Sequence, residues 1–403
     1  MTPQFLRISL PLAGINTLTQ ASRVILSVVG PALAVEYSLS ASELGMLSAA
    51  MFAAYGLWQL PVGLLLDLYG PRRVQAAMGI TSALGFALFA LSDGLAGFLL
   101  ARMLIGVGVA AGLMAVLKAH SQWYRRAQGA GVTGMVQLLG GLGGLAVTLP
   151  ADALLPVIGW RGIFWLLSAV SLAMALWVFL SLRDRPAPPK RALSVEIAVY
   201  GRIYASAVFW RFVPAVALLT VINFAYQGLW AGPWLRDMAG MGEGARAAIL
   251  FAFALGLMAG SLVTGQLASR LQRRGHSPML VPYGCSIALM GVQALLLVAP
   301  HGFWTMALLW AAFPFFASAG PPGYAAIAQR FENAVIGRVS TAINAVTLAG
   351  AFSLQALIGW LLDLWPRTAA GGWDPAGYSW AMGLAIAAQA ATLLWAWRRY
   401  RFG

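Results

Sequence analysis

The sequence is dominated by one repeated feature, an apolar run long enough to cross a bilayer. Between charged or Pro/Gly-rich breaks it carries about twelve such runs. They lie near 8–34, 43–66, 74–92, 96–118, 129–151, 162–182, 209–231, 246–268, 279–299, 303–325, 337–362 and 377–397. A spanning helix needs roughly 20 apolar residues at about 1.5 Å rise each. A membrane barrel strand takes about ten residues of alternating polarity, and these runs are too long and too continuously apolar for that. Only 9% of the residues are charged, against about 25% in a soluble domain, and the short loops leave no room for a sizeable soluble domain. The expected fold class is an all-α membrane protein.

The formal net charge of +14 would point to nucleic acid in a soluble protein. Here the charge is sorted by side. With the N-terminus taken as cytoplasmic, Arg7, Arg72, Arg73, Arg125, Arg126, the 183–211 segment, Arg270, Arg273, Arg274, Arg330, Arg338, Arg398, Arg399 and Arg401 all fall inside. The opposite loops hold Glu36, Glu43, Asp93, Asp152, Asp237, Glu243, Asp363 and Asp374, with few arginines. This positive-inside pattern predicts a multi-pass protein of the inner (plasma) membrane with both termini cytoplasmic, and no nucleic-acid partner. The single cysteine, Cys285, excludes an intramolecular disulfide framework. The first run is too long for a cleavable signal and is expected to remain as the first span.

One segment breaks the rhythm. Residues 183–211 hold Pro186, Pro188 and Pro189 among basic residues, and such prolines forbid a continued helix. They predict a cytoplasmic linker between an N-terminal six-helix bundle, 1–182, and a C-terminal one, 212–403. The halves echo each other at roughly 200 residues' offset, as internal duplication in transporters produces. Gly63 to Arg73 corresponds to Gly265 to Arg274, and Trp123, Gly129 and Thr133 correspond to Phe331, Gly337 and Thr341.

The stretch Gly63-Leu64-Leu65-Leu66-Asp67-Leu68-Tyr69-Gly70-Pro71-Arg72-Arg73 resembles the loop signature of the major facilitator superfamily, Gly-x-Leu-x-Asp-x-x-Gly-x-Arg-Arg. It departs at Leu68, where a basic residue is common. The resemblance implies twelve transmembrane helices in two pseudo-symmetric six-helix bundles, a substrate site near the midplane between them, and alternating access. It also implies a cytoplasmic latch built from Gly63, Asp67, Gly70, Arg72 and Arg73. In this reading Gly63 allows close helix packing, Asp67 accepts from N–H groups at a helix start, and the arginines hold the inner surface. Arg102, in Leu100-Ala101-Arg102-Met103-Leu104-Ile105-Gly106-Val107-Gly108, is similar to a second superfamily signature. Two readings stand for it, a role in coupling or gating and snorkelling to the interface.

Arg23 is the most informative residue. It lies past the middle of the first run, and the sequence has no carboxylate at a similar depth. A charge there costs roughly 2.5–3.5 kcal/mol on insertion scales. It faces either a wet cavity, bonded to carbonyls and water, or an anionic substrate, whose carboxylate or phosphate fits the guanidinium fork. Together with Tyr55-Gly56-Leu57-Trp58-Gln59-Leu60-Pro61-Val62-Gly63, it resembles the anion:cation symporter and organophosphate:phosphate exchanger branches of the superfamily. The exchangers carry a second arginine in helix seven, whereas this chain has Asn223, Tyr226, Gln227 and Trp230 there. That departure favours a carboxylate over a phosphate ester. These four residues either bind the neutral part of an organic acid or serve packing and interfacial anchoring.

Gln137, Tyr324, Asn344, Thr347 and Gln355 are further polar residues within the runs. They line a cavity or act as interhelical glue at roughly 0.6 kcal/mol each. The candidate substrate-binding set is Arg23, Tyr55, Gln137, Asn223, Tyr226, Gln227 and Asn344, and the latch and gating set is Gly63, Asp67, Gly70, Arg72, Arg73 and Arg102. Gly140-Gly141-x-Gly143-Gly144 permits tight packing or bending and lacks the Gly-Pro pattern of the superfamily's drug–proton antiporters. His120, His276 and His301 have no metal-ligand spacing, and no nucleotide-binding loop is present. No enzyme activity, metal or cofactor is expected. The expected function is secondary active transport of a small organic anion, with export of drugs or metabolites as the alternative. The expected partners are the cargo, a proton or cation where transport is coupled, and the bilayer, around a monomer. At equal membrane abundance, Asp67→Asn is expected to lower uptake of a labelled carboxylate in membrane vesicles; wild-type uptake would remove the latch role.

Overall fold

The computed structural model describes residues 4–124, 126–183, 193–332, 335–368 and 371–397. Every long element among them is helical, as hydrocarbon requires, because a helix satisfies its backbone polar groups internally. The chain divides into two compact units, Met1–Lys190 and Arg191–Gly403.

The first unit holds a π-helical turn at Phe5–Ser9, then α1 (Leu10–Glu36), α2 (Ala41–Leu91), α3 (Leu95–Val109), α4 (Gly112–Trp123) and α5 (Arg126–Ser181). At 51 and 56 residues, α2 and α5 would be about 75 and 85 Å long if straight, more than twice the apolar thickness of a bilayer. Each is two spans joined at a glycine, Gly70 (φ 76°, ψ 165°) and Gly159 (φ 65°, ψ 173°). Side chains with a Cβ are essentially barred from that backbone region. Pro71 follows Gly70 and opens the next span, where a missing N–H removes no helical bond. At the start of α2, Ser40 and Glu43 form a reciprocal capping box, a device worth about 1 kcal/mol. With α3 and α4 together forming the span Leu95–His120, the unit has six spans.

The second unit begins with α6 (Leu193–Tyr204), followed by α7 (Ala207–Ala225), a π turn at Tyr226–Trp230 and α8 (Ala231–Asp237). The last three form one span, 207–237. Pro233 offers no N–H to the Leu229 carbonyl, and the wider turn lies just before it, a common way to absorb such a break. Five more spans follow: α9 (Glu243–Arg273), α10 (Leu280–Val298), α11 (Phe303–Ala317) continued by α12 (Gly320–Ala328), α13 (Ile336–Leu362) and α14 (Pro375–Trp397). Ten helical stretches among the described residues are long and apolar enough to cross a membrane, and the first halves of α2 and α5 bring the total to twelve. The all-α, twelve-span architecture predicted from the sequence is the one observed.

Helix α6 lies inside the 183–211 segment read as a linker. Its 12 residues reach about 18 Å, too short to span. Val199 and Ile203 pack into the core of the second unit beside Phe209, Phe212 and Val339. The prolines of that segment lie outside the described residues.

Each unit is fastened at the end that the charge pattern assigns to the outside. In the first, Arg161 at the start of the sixth span bonds Glu36 at 3.0 Å and Asp93 at 2.7 Å, while the Trp160 indole donates to Glu36 at 2.7 Å. In the second, Asp237 accepts from Arg236, from the Tyr378 hydroxyl at 2.8 Å and from the Trp373 amide at 3.1 Å. These contacts join the ends of the first and sixth spans of each unit.

Within the first unit, α1 crosses the first half of α5 so closely that a Cβ on Gly143 would run into the Thr17 carbonyl oxygen. By contrast, a Cβ on Gly63 would meet no described atom within 4 Å, so close packing is not what requires glycine there. Gly143→Ala is expected to destabilise purified protein by about 1–3 kcal/mol through overpacking, seen as a clear fall in melting temperature. Gly63→Ala is expected to leave the melting temperature unchanged.

Candidate functional site

Arg23 sits at the midpoint of α1 (Leu10–Glu36), about 20 Å from either helix end. Its Nη1 donates to Gln20 Oε1 at 2.9 Å and its Nη2 to the Tyr55 hydroxyl at 3.1 Å. The guanidinium carbon also lies 5.2 Å from the centre of the Tyr55 ring, within cation–π range. Gln20 is three residues before Arg23 and therefore shares its helix face. Tyr55 comes from the first half of α2 and is only 4% exposed. Both of these hydrogen-bond partners are neutral and help to aim the fork.

One turn of α1 beside Arg23 is held from behind. Arg102 is fully buried, and its Nε donates to the Leu47 carbonyl at 3.1 Å and its Nη1 to the Ser22 carbonyl at 3.0 Å. Helical carbonyls keep a second lone pair and can accept such bonds. Arg102 thus ties α1 and α2 to α3, and the snorkelling reading is corrected: the side chain points into the bundle because two carbonyls await it there. It is also remote from the latch, since Leu47 lies about 24 Å along α2 from Gly63.

The latch residues surround the break in α2. Gly70 makes that break, and Arg73 is exposed. Arg72 Nε donates to the Phe179 carbonyl at 2.7 Å, with its guanidinium carbon 4.3 Å from the Phe179 ring centre. That contact binds the third span to the sixth within the first unit. The side chains of Asp67 and Gln137 lie outside the described residues.

In the second unit, Asn223, Gln227 and Trp230 lie on the seventh span, the last two in its π turn. Asn223 Nδ2 donates to Gln227 Oε1 at 3.2 Å. Trp230 is fully buried, and its indole donates to the Gln355 carbonyl at 3.3 Å, while Gln355 Nε2 donates to the Phe224 carbonyl at 3.2 Å. Trp230 is therefore not an interfacial anchor; it and Gln355 brace the π turn against α13. Tyr226 is buried with its ring centre 5.7 Å from that of Trp310 and 5.2 Å from that of Phe313. Asn344 is half-buried on α13, one turn from Thr347, whose hydroxyl meets that of Tyr324 at 2.8 Å.

The structure thus brings Arg23 and Tyr55 together and places Asn223 beside Gln227. One participant escaped the sequence reading of the site, Gln20, which had a signal in its spacing from Arg23. Gln355, read as cavity lining or interhelical glue, bonds across helices, and its partners depend on where α13 crosses the seventh span. Among the described residues no group of three His, Cys, Asp or Glu side chains could hold a metal ion.

The sequence profile of the Major Facilitator Superfamily matches residues 12–346. The chain is 26% identical over 296 residues to a probable sulfoacetate transporter of Cupriavidus necator, covering 70% of this chain and 68% of that protein. It is 27% identical over 313 residues to a probable L-galactonate transporter of Escherichia coli, covering 73% of this chain and 68% of that protein. Among solved structures, a bacterial homolog of the human lysosomal transporter Spinster, in an inward-facing and unoccupied conformation, superposes with a TM-score of 0.77 at 18% identity, covering 98% of this chain and 96% of that one. This last likeness shows the fold.

Arg102→Lys tests the buried bridge. A compact ammonium cannot reproduce the planar fork that reaches two helices, so the variant is expected to melt several degrees lower by fluorescence-detected size exclusion. A snorkelling arginine would tolerate lysine, and an unchanged melting temperature would restore that reading.

Proposed function

The chain belongs to the major facilitator superfamily, and from that premise we propose that it is a secondary transporter carrying a small carboxylate across the inner membrane by alternating access. The observation behind this reading is the Arg23 guanidinium, set at the midpoint of a span and aimed by Gln20 and Tyr55. A cation at that depth is costly unless it meets water or an anion. A carboxylate fits its fork with two parallel charge-assisted hydrogen bonds. Sulfoacetate and galactonate, named for two of the relatives, both carry a carboxylate.

The role of each candidate follows from this reading. In the first unit Arg23 meets the carboxylate, Tyr55 and Gln20 orient Arg23, and Gln137 is a further candidate; in the second unit Asn223, Tyr226, Gln227 and Asn344 are the candidates for polar contacts to cargo. Gly63, Asp67, Gly70, Arg72 and Arg73 form the cytoplasmic latch. In the sequence every Asp and Glu lies at a span end or in a connection. Coupling therefore uses the anion's own gradient or a proton that rides on the cargo, not a relay of carboxylates buried in the bilayer.

The test is uptake of labelled galactonate into proteoliposomes under an imposed gradient. Arg23→Ala removes charge-assisted bonds worth about 1.5–3 kcal/mol, so the apparent affinity is expected to fall roughly 10- to 100-fold, with Arg23→Lys recovering part of it. Galactonate uptake untouched by Arg23→Ala would overturn the proposal. Drug efflux that survives the same substitution would favour export instead.

A further inference from the structure

We propose that the second unit holds an anionic phospholipid at the end that the charge pattern assigns to the cytoplasm, with the headgroup phosphate at Arg211 and Arg330 and the acyl chains along Val208 and Trp210. The inference concerns the second unit alone and does not depend on the cargo reading above.

Four arginines on four elements stand next to residues of one packed cluster. Arg202 precedes Ile203 on α6, Arg211 precedes Phe212 on α7, Arg330 precedes Phe331 just after α12, and Arg338 precedes Val339 on α13. Ile203, Phe212 and Val339 are buried in the cluster, and Phe331 packs against it. Residues far apart in the chain are thereby gathered into one basic rim. Arg211 and Arg330 show it most directly. Their guanidinium carbons lie 5.1 and 4.5 Å from the centre of the same Phe212 ring. They are therefore closer to each other than the roughly 10 Å over which 0.1 M salt screens exposed charges. Arg330 is exposed and Arg211 half-buried. Across 193–212 and 328–340 the sequence sets four arginines against two carboxylates, Glu196 and Glu332. An excess of positive charge remains, which an added anion relieves, and phosphate oxygens fit guanidinium forks.

The surface beside Arg211 says which anion. Val208 and Trp210 are 39% and 46% exposed, and both lie in the first turn of the span 207–237. The Trp210 indole donates to the Tyr204 carbonyl at 2.7 Å, at the end of α6. Its polar edge is thus satisfied by the protein, and what it offers outward is ring hydrocarbon. Tryptophan at a span end marks the level of the headgroups. A soluble phosphate would use the arginines and leave Val208 and Trp210 idle. A phospholipid uses both, and basic pockets at the cytoplasmic ends of spans are suited to such headgroups.

The experiment titrates the purified full-length protein in detergent with phosphatidylglycerol, phosphatidylcholine and glycerol phosphate and reads the melting temperature, which a ligand of the folded state raises. Phosphatidylglycerol is expected to raise it by several degrees, and the other two to leave it unchanged at the same concentration. In Arg211→Gln/Arg330→Gln, phosphatidylglycerol is expected to bind at least about tenfold more weakly. Arg270→Gln/Arg273→Gln, in the last turn of α9, is expected to respond as the wild type does. Arg330→Gln alone, at an exposed position, gives a weaker form of the same loss if the double variant does not fold. Phosphatidylcholine matching phosphatidylglycerol would overturn the role of the arginines, and glycerol phosphate matching it would overturn the lipid. An equal loss in the two double variants would show general surface charge in place of a site and would also overturn the inference.

Discussion

A guanidinium held in the middle of a membrane span is the constraint around which the rest of the molecule is arranged. Hydrocarbon offers a cation nothing, so Arg23 persists only where the bundle supplies polar company. Gln20 and Tyr55 supply part of it. A guanidinium oriented in this way is suited to a cargo that brings a carboxylate of its own. An aspartate in place of either partner would fix the arginine as a structural ion pair.

Holding that geometry requires stiffness around it. Arg102, buried without exposure, pins the Ser22 and Leu47 carbonyls, so the turn carrying Arg23 is tied to two neighbouring helices. The close crossing of α1 and α5 at Gly143 and the Arg161–Glu36–Asp93 cluster fasten the same helix at other levels. The second unit has its own fastening at Asp237 and its own brace across the π turn, from Trp230 and Gln355.

The fold was legible because its determinants are local and one-dimensional. Apolar run length gave the spans, while Gly70 was legible only as a residue of the loop signature; that it makes the break in α2 emerges from its backbone conformation. The midspan depth of Arg23 was equally plain. What could not be read depends on the direction in which a side chain leaves its helix. Arg102 near a span end reads as a snorkelling residue until the carbonyls behind it are seen, and Trp230 reads as a belt residue until Gln355 is found against it. Gly63 fits the signature, yet it has open space around it, so its glycine is not explained by packing.

The most direct measurement is an experimentally determined structure of the protein with a carboxylate bound. The account predicts the carboxylate oxygens about 3 Å from the two terminal nitrogens of Arg23, in the paired geometry of a guanidinium–carboxylate contact. A cargo whose carboxylate rests elsewhere, or an arginine at position 23 turned toward lipid or locked to an acidic side chain of the protein, would contradict it.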